Sequence, residues 1–436
     1  MLSPARSDSF PSTRIAWTGA GILTFVFTVA FVHRIGLSLY VEPIKAALGL
    51  SDTEIGVLTG IAFALPYAIG GLLGGWLADR YHRVALLVFS AALWSGATAA
   101  LGVLASFAQM VAARVLTGVG QAAVQPVSAS LLADLFAPAN RGRAYGLFVA
   151  ATAFGTAGAF GLGAATVALG ERLGPAFGLA GWRAGLVLLG ALGLAAVVAL
   201  AFAVEPRRMD RAAGRPSTLP ELARFFGANA RVLATLYVGV TFTFLAPYGQ
   251  LAFMPALFSR KFDWSADDLA LAYGVIAVVG GAGGAIVGGW LADRWRSRGI
   301  VGSAWLLCLS GSFLSLAFAT AAPLADTGWA SLGWFGAAAL FTNWPSIGAL
   351  AVIAEMTPNE LRGQVTAGHT AMIGLVAAGM GPVAVGMLTD RFFGSAADLD
   401  RSLALTFAAC TVVATVVLAA GYRAFRSTAL LRANGS

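Results

Sequence analysis

The chain has 436 residues, of which 58% are hydrophobic and only 11% are charged. Soluble domains carry roughly 25% charged residues, so this composition excludes a soluble enzyme, a disordered protein and a nucleic-acid binder. A membrane-spanning helix needs about 20 apolar residues, and the length leaves room for many spans but for no sizeable soluble domain.

Twelve apolar segments recur along the chain. Each is predicted to be a membrane-spanning helix, because open sheet edges cannot lie in hydrocarbon. The predicted bounds of spans 1 to 12 are 15–40, 54–78, 84–106, 108–135, 143–169, 183–204, 231–257, 267–292, 300–321, 331–356, 364–389 and 402–424. The expected fold class is therefore an all-α membrane protein with twelve transmembrane helices.

The distribution of Arg and Lys predicts the orientation in the membrane. With the N-terminus inside, cytoplasmic segments hold 19 of the 28 basic residues and the opposite side holds 7. The remaining two, Arg34 and Arg114, lie within spans. The formal net charge of +8 is therefore not a nucleic-acid signal, because the basic residues are placed as membrane topology requires. Their excess on one side places both termini in the cytoplasm, and we expect a multi-pass protein of the plasma membrane.

The longest polar stretch, 205–230, separates spans 6 and 7 and predicts a cytoplasmic linker. It divides the chain into an N-terminal six-helix bundle, 1–204, and a C-terminal six-helix bundle, 231–436. A flexible linker and a linker with a short surface helix from Pro220 to Ala230 explain this stretch equally well. In the second case three apolar side chains would face lipid, namely Leu222, Phe225 and Phe226.

An internal repeat relates the two bundles. Gly-Gly-Trp-Leu-Ala-Asp-Arg occupies 74–80 at the end of span 2 and returns 214 positions later, at 288–294, at the end of span 8. Pro-Ala-Asn-Arg-Gly at 138–142, before span 5, has a counterpart in Pro-Asn-Glu-Leu-Arg-Gly at 358–363, before span 11. Two related six-helix halves are an architecture of secondary transporters, whose substrate site lies near mid-membrane between the halves.

These motifs resemble those of the major facilitator superfamily, and the resemblance covers nearly the whole chain. Gly-Trp-Leu-Ala-Asp-Arg-Tyr-His-Arg at 75–83 is similar to the family's loop signature after the second helix, and Arg-Val-Leu-Thr-Gly-Val-Gly at 114–120 is similar to its fourth-helix signature. Within the superfamily the chain resembles bacterial spinster-like transporters. That likeness also rests on the segments 131–134, 141–142, 205–207 and 379–382.

The resemblance implies a secondary transporter that works by alternating access, with sphingolipid or lysolipid-type cargo in some members. Two positions depart from the spinster-like pattern. His33 precedes Arg34 where an Asp is usual, and Gln121 follows the Gly-Val-Gly of span 4 where a Glu is usual. Both replacements remove carboxylates that bind protons or balance arginines, so they count against carboxylate-based proton coupling.

The basic residues within spans are the main candidates for a substrate site, since a charge in the bilayer interior indicates a function by default. Arg34 and Arg114 are both expected in the outer third of their spans, at one level. No acidic residue lies at the middle of any span, so two uncompensated cations predict an attraction for an anionic group. Snorkelling to the interface, or bonding to backbone carbonyls, is the alternative.

His33 is the one residue beside these arginines that could titrate near physiological pH, which makes protons a candidate coupling ion. A neutral, hydrogen-bonded histidine explains it equally well.

Polar and aromatic side chains that interrupt the spans are predicted to line the cavity, although interhelical hydrogen bonds explain them equally well. Besides Arg34, Arg114 and His33, the candidate substrate-binding residues are Gln121, Gln125, Tyr67, Tyr248, Asn343 and Trp344, followed by Thr59, Thr241, Gln250 and Thr370. A mostly apolar cavity with a cationic end suits an amphipathic organic anion, either a small molecule or a lipid-like one.

Asp79 and Asp293, the acidic residues of the repeated motif, are predicted to latch the halves together on the cytoplasmic side. The positive ends of the helices of spans 5 and 11 face that side, and the family resemblance places Asp79 near span 11 and Asp293 near span 5. The basic residues expected at the same latches are Arg80, Arg83, Arg141, Arg294 and Arg362.

Three classes of function were compared on these features. The three histidines are scattered and the sequence has no buried acid pair, which argues against an enzyme. The sequence also has no phosphate-binding loop, which argues against ATP-driven pumping. A channel would not need two latches. We therefore expect a monomeric secondary active transporter for an organic or amphipathic anion, without a cofactor or a metal. A facilitative uniporter or exchanger, or a transporter-like sensor without ion coupling, is the alternative.

Overall fold

The computed structural model describes residues 10–208 and 219–434. Within these ranges it confirms twelve helices that are long and apolar enough to cross a membrane. Spans 1 to 12 are Thr13–Leu48, Asp52–Arg80, Arg83–Ala100, Phe107–Leu135, Asn140–Phe177, Gly181–Leu200, Ala230–Phe262, Ala266–Ser297, Ser303–Leu324, Gly328–Met356, Glu360–Phe393 and Ala396–Ser427. The middle of the predicted linker, 209–218, lies outside the described residues.

Several spans are interrupted rather than continuous α-helices. Spans 2, 4 and 10 each consist of two helices, which are Asp52–Thr59 and Ile61–Arg80, Phe107–Ala122 and Val124–Leu135, and Gly328–Thr342 and Trp344–Met356. In span 11, π-helical turns at Ile373–Ala377 and Leu388–Phe393 flank the helix Ala378–Met387. Such irregular turns are frequent at functional sites, and the interrupted spans 2 and 11 contact each other across the two halves.

Span 1 is longer than predicted. After the helix Thr13–Gly36 it continues through a 3₁₀ turn, Leu37–Tyr40, and a helix, Val41–Leu48. It ends at Gly49, whose φ of 66° favours glycine. In this helix of 36 residues Arg34 lies past the midpoint, toward the end that carries Leu48; its expected position in the outer third of the membrane stays a prediction.

Ion pairs join the two halves at one end of the bundle. We call the end that carries the start of span 1 the terminal face, and the opposite end the distal face. At the distal face Arg260 of span 7 donates to Glu42 Oε1, 2.6 Å from its Nη2, and to both carboxylate oxygens of Asp52 at 2.8 Å. Asp52 is completely buried and also binds Lys45 Nζ at 2.7 Å. These bonds connect spans 1 and 2 to span 7.

Asp390, near the end of span 11, reinforces the same face. Its carboxylate accepts hydrogen bonds from the backbone N–H groups of Asp52 and Thr53, at 3.2 and 2.6 Å, at the start of span 2. A carboxylate is favoured there by the positive end of the helix dipole. The backbones are also very close, since a Cβ on Gly56 would lie 2.5 Å from the Pro382 carbonyl oxygen. This crossing of spans 2 and 11 therefore requires glycine.

At the terminal face the bonds stay within each half. Arg296 pairs with Glu355 at 3.0 Å inside the second half. Arg208, which follows span 6, donates to the carbonyl oxygens of Ala78, Asp79 and Tyr81 at the end of span 2. In the part of the chain described, no side-chain hydrogen bond or ion pair at this face connects the two halves. Among the described residues, bonds therefore join the two halves at the distal face, whereas the bonds at the terminal face stay within each half.

Arg83 fastens the first half internally. It is 1% exposed and forms ion pairs with Asp134 and, at 2.7 Å, with Glu205. It also donates to the Ser130 hydroxyl at 3.1 Å and to the Pro206 carbonyl oxygen at 2.9 Å. One buried guanidinium therefore connects the start of span 3, the end of span 4 and the segment after span 6.

The linker contains the short helix Leu219–Ala228, as one of the two interpretations of this stretch required. Its apolar face was expected to point to lipid, but it contacts protein instead. Leu222, Phe225 and Phe226 pack against the core of the second half, and the ring of Phe226 lies 6.2 Å from that of Tyr237. The helix covers protein surface because span 7, which follows directly, offers an apolar neighbour.

We predict that Arg260→Ala lowers the free energy of unfolding by about 3 kcal/mol, because it leaves the buried Asp52 without its main counter-charge. Arg401→Ala is the matched control, since Arg401 pairs with Asp398 and its side chain is 64% exposed. It should change the free energy of unfolding by no more than about 0.5 kcal/mol. Denaturation of the purified protein measures both values, and equal effects would show that the distal ion pairs do not hold the halves together.

A second prediction concerns the buried guanidinium of span 3. Arg83→Gln should destabilise the protein by about 3 kcal/mol, since it removes the buried guanidinium that binds both Asp134 and Glu205. Arg80→Gln, three positions earlier at an exposed site, should have little effect on thermal unfolding. If Arg83→Gln unfolds at the same temperature as Arg80→Gln, the internal fastening by Arg83 is wrong.

Candidate functional site

Arg34 lies among three aromatic rings near the middle of span 1. Its guanidinium carbon is 4.7 Å from the ring centre of Phe31, 4.7 Å from that of Phe63 and 4.4 Å from that of Tyr67. A cation–π contact in a desolvated site is worth about 2 kcal/mol, so the rings stabilise the cation without neutralising it. Within the described residues Arg34 has no ion pair, and its buried Nε has no hydrogen-bond partner.

Arg114 of span 4 shares one of these rings. It is completely buried, and its guanidinium carbon lies 5.1 Å from the ring centre of Phe63. Its Nε donates to the Leu58 carbonyl oxygen at 3.1 Å, whereas Nη1 and Nη2 have no partner in the described part of the chain. The complete burial is incompatible with snorkelling in this conformation, and the backbone bond accounts for only one of the nitrogens.

The break in span 2 explains why a carbonyl is available to Arg114. The helix Asp52–Thr59 ends before Gly60, and the last four carbonyls of a helix have no intrahelical partner. Leu58 belongs to that last turn. Beyond the break, Phe63 and Tyr67 are one helical turn apart and lie on the same face. One interruption thus supplies an acceptor to Arg114 and directs two rings toward Arg34.

His33 points away from these rings. It is completely buried, and neither ring nitrogen has a partner in the described residues. A Cβ on Gly193 of span 6 would lie 2.8 Å from its Cε1 and 1.9 Å from the Ser95 hydroxyl oxygen of span 3. The imidazole therefore packs toward spans 3 and 6. Its expected role as the local proton carrier stays a prediction.

Gln121 reaches span 1 close to Arg34. Its Nε2 donates to the Ala30 carbonyl oxygen at 3.0 Å, and its Oε1 has no partner among the described residues. Ala30 and Arg34 are one helical turn apart, so the amide lies beside the arginine's face of span 1. Gln125, one turn further along span 4, is exposed.

The second half contributes Tyr248 of span 7, which lies within electrostatic range of Arg34 and Tyr67. Asn343 and Trp344 instead hold span 10 against span 8, since their side chains donate to the Gly281 and Gly284 carbonyl oxygens at 2.9 Å each. For these two, interhelical bonding is the better of the two explanations. The four weaker candidates do not join the ring cluster through any described bond, namely Thr59, Thr241, Gln250 and Thr370.

The predicted latch residues lie apart in this conformation. Asp79 and Asp293 are both exposed at the terminal face. The guanidinium carbons of Arg80 and Arg294 lie over the neighbouring tryptophan rings of their own spans, at 4.1 and 5.4 Å. Two further residues bond within their own half, because Arg141 donates to Phe136 and Arg362 to Ala354. The latch needs a closed terminal face, so it stays a prediction.

Sequence reasoning missed the rings Phe31 and Phe63 and the distal ion pairs of Arg260. A signal existed for the rings, since Phe31 lies three residues before Arg34 and can share its helix face. A signal also existed for the helix ends at the distal face. Ser51 and Glu54 form a capping box at the start of span 2, where Asp52 lies, and a second capping box lies 214 positions later at the start of span 8.

Comparison with known proteins places this geometry in a family. The family model of the Major Facilitator Superfamily matches residues 20–347. An MFS-type efflux pump of Mycolicibacterium smegmatis is 29% identical over 410 residues, which cover 92% of each chain. A probable L-galactonate transporter of Escherichia coli is 25% identical and covers 86% of this chain and 84% of its own.

Among solved structures, the fold is similar to the crystal structure of a bacterial homolog of the human lysosomal transporter Spinster, in an inward-facing and unoccupied conformation. The TM-score is 0.82 at 24% identity, with coverage of 96% of this chain and 98% of that one. The twelve spans, the repeated motif and the family match together show that the chain is a multi-pass membrane protein that belongs to the major facilitator superfamily of transporters.

Proposed function

We propose that the chain is a secondary transporter that moves an organic anion by alternating access, and that Arg34 and Arg114 bind its acidic group. The observation that carries the proposal is the pair of guanidinium groups on one phenyl ring, with nitrogens that no described side chain satisfies. Guanidinium groups bind carboxylates and phosphates through two parallel hydrogen bonds. The acidic group would supply the missing acceptors and the missing charge together.

The surroundings support a substrate with an apolar or carbon-rich body. Phe31, Phe63 and Tyr67 surround Arg34 on the first half, and Tyr248 approaches from the second half. The name of the Escherichia coli relative points to a sugar-acid carboxylate. An amphipathic anion, including a lipid-like one, fits the same pair of cations because only its acidic group needs to be recognised.

We infer that the terminal face lies in the cytoplasm, where the excess of Arg and Lys places it. The two bundles, 1–204 and 231–436, would rock about the bound anion while the linker 205–230 joins them. In the conformation with a closed terminal face, Asp79 and Asp293 would reach the opposite half. The proposed cycle does not require a proton on His33, which is buried in this conformation, and its role as a proton carrier stays a separate prediction.

The orientation is tested with single cysteines. Ser297→Cys, at the end of span 8, should react with an impermeant thiol reagent from the cytoplasm, and Ser395→Cys, after span 11, from the other side; both positions are exposed. The native Cys308 and Cys410 are buried and give a low background. Labelling of both positions from one side would refute the span arrangement, and exchanged sides would refute the orientation.

The binding role of the arginines is tested with a thermal-shift series of L-galactonate, decanoate, decyl phosphate and inorganic phosphate. Arg34→Gln and Arg114→Gln should each weaken binding of the best anion about 30-fold, since a hydrogen bond to a charged group contributes about 2 kcal/mol. Arg401→Gln, at an exposed site on the distal face, is the control and should bind as the unaltered protein does. Unchanged affinity in both site variants would exclude this pair as the anion site.

A further inference from the structure

The pair Arg34 and Arg114 carries two positive charges without an internal counter-charge. Both guanidinium carbons lie close to the same ring, at 4.7 and 5.1 Å from the centre of Phe63. The two cations are therefore close enough to repel each other. Neither forms an ion pair with any carboxylate in the described ranges, 10–208 and 219–434. This differs from Arg83 and Arg260, which each bind two carboxylates.

Two polar side chains close to the pair, Gln121 and His33, do not supply the charge. Gln121 is neutral and directs its amide to the Ala30 carbonyl oxygen. His33 can only be neutral or positive, and its ring packs toward Gly193. The three rings around Arg34 offer their negative faces, but a quadrupole weakens with distance faster than a charge does and leaves the net charge of the site unchanged.

The surroundings of the pair must change when the transporter changes conformation. In the conformation described, Arg34 is partly exposed, so water can screen its charge. Alternating access passes through a conformation closed at both faces, in which that water is removed. In a medium of low dielectric, two neighbouring cations without a counter-ion are strongly unfavourable. A bound anion removes this penalty because it supplies the charge and accepts the unsatisfied hydrogen bonds.

We infer from this that the protein is an obligatory anion exchanger. The inference rests on the proposed function. The terminal face closes readily only around a bound anion. Without an anion the transporter therefore cannot return to the outward-facing conformation. The inward step of one anion is followed by the outward step of another. The two conformations are then coupled by differential affinity, since the anion stabilises the closed conformations and its absence holds the transporter open.

The first test measures closure directly. Spin labels on Arg143→Cys and Ser297→Cys, both exposed at the terminal ends of spans 5 and 8, report the distance between the halves in nanodiscs. In buffer whose only anion is a bulky sulfonate, the protein should stay open. Gln121→Glu places a carboxylate at Ala30, which is one helical turn from Arg34 along span 1, and Arg114→Gln removes one cation. Each should raise the closed population about tenfold without an added anion.

The matched control is Gln109→Glu, the same substitution on the same span at an exposed position near the distal face. It should leave the closed population as low as in the unaltered protein. The inference is overturned if the unaltered protein closes in the sulfonate buffer as often as Gln121→Glu does, or if Gln109→Glu and Gln121→Glu behave alike.

The second test measures exchange. Proteoliposomes loaded with unlabelled L-galactonate should take up radiolabelled L-galactonate about tenfold faster than liposomes without it, and Gln121→Glu should reduce this dependence. Equal uptake in both liposomes would overturn exchange while leaving anion transport intact. Absence of uptake in both liposomes, together with no binding in the thermal-shift series, would refute the proposed function. The spin-label distances between the halves would still decide whether an anion is needed for closure.

Discussion

A charge in the hydrocarbon layer must be compensated, and this protein compensates its two central cations only in part. Arg34 contacts three aromatic rings, those of Phe31, Phe63 and Tyr67. Arg114 donates a hydrogen bond to one carbonyl oxygen, that of Leu58. That arrangement depends on the break of span 2 at Gly60, which frees the carbonyl and sets the direction of the rings. The remaining charge and the free N–H groups make the site receptive to an anion.

At the distal face, where the two halves meet, charged side chains are paired with opposite charges. Arg260 and Asp52 each meet opposite charges at hydrogen-bonding distance. A buried ion pair gains Coulomb energy but loses hydration, and the two largely cancel. Separation of the halves would return both groups to water, so opening this face requires less free energy than the short distances suggest. Close glycine contacts between spans 2 and 11 add shape complementarity without adding charge.

Much of the fold was predictable because the signals lie within single segments. Apolar length defines the spans, and the motif at 74–80 and 288–294 reveals the repeat. The full length of span 1 was not predictable in this way. Glu42 and Lys45 have the character of residues at a membrane boundary, yet span 1 continues past them. They are tolerated in the helix because Arg260 and Asp52 neutralise them at the distal face.

By itself, the sequence determined the class of the protein, the number of spans, the internal repeat and the identity of its two embedded cations. Only the tertiary structure decided that these cations share Phe63, that His33 turns toward span 6, and that Trp344 bonds to span 8. The physical reason is that helix formation and membrane insertion depend on residues a few positions apart, whereas the site arises from side chains on separate helices. Their contacts depend on where each helix bends, and no local pattern records that.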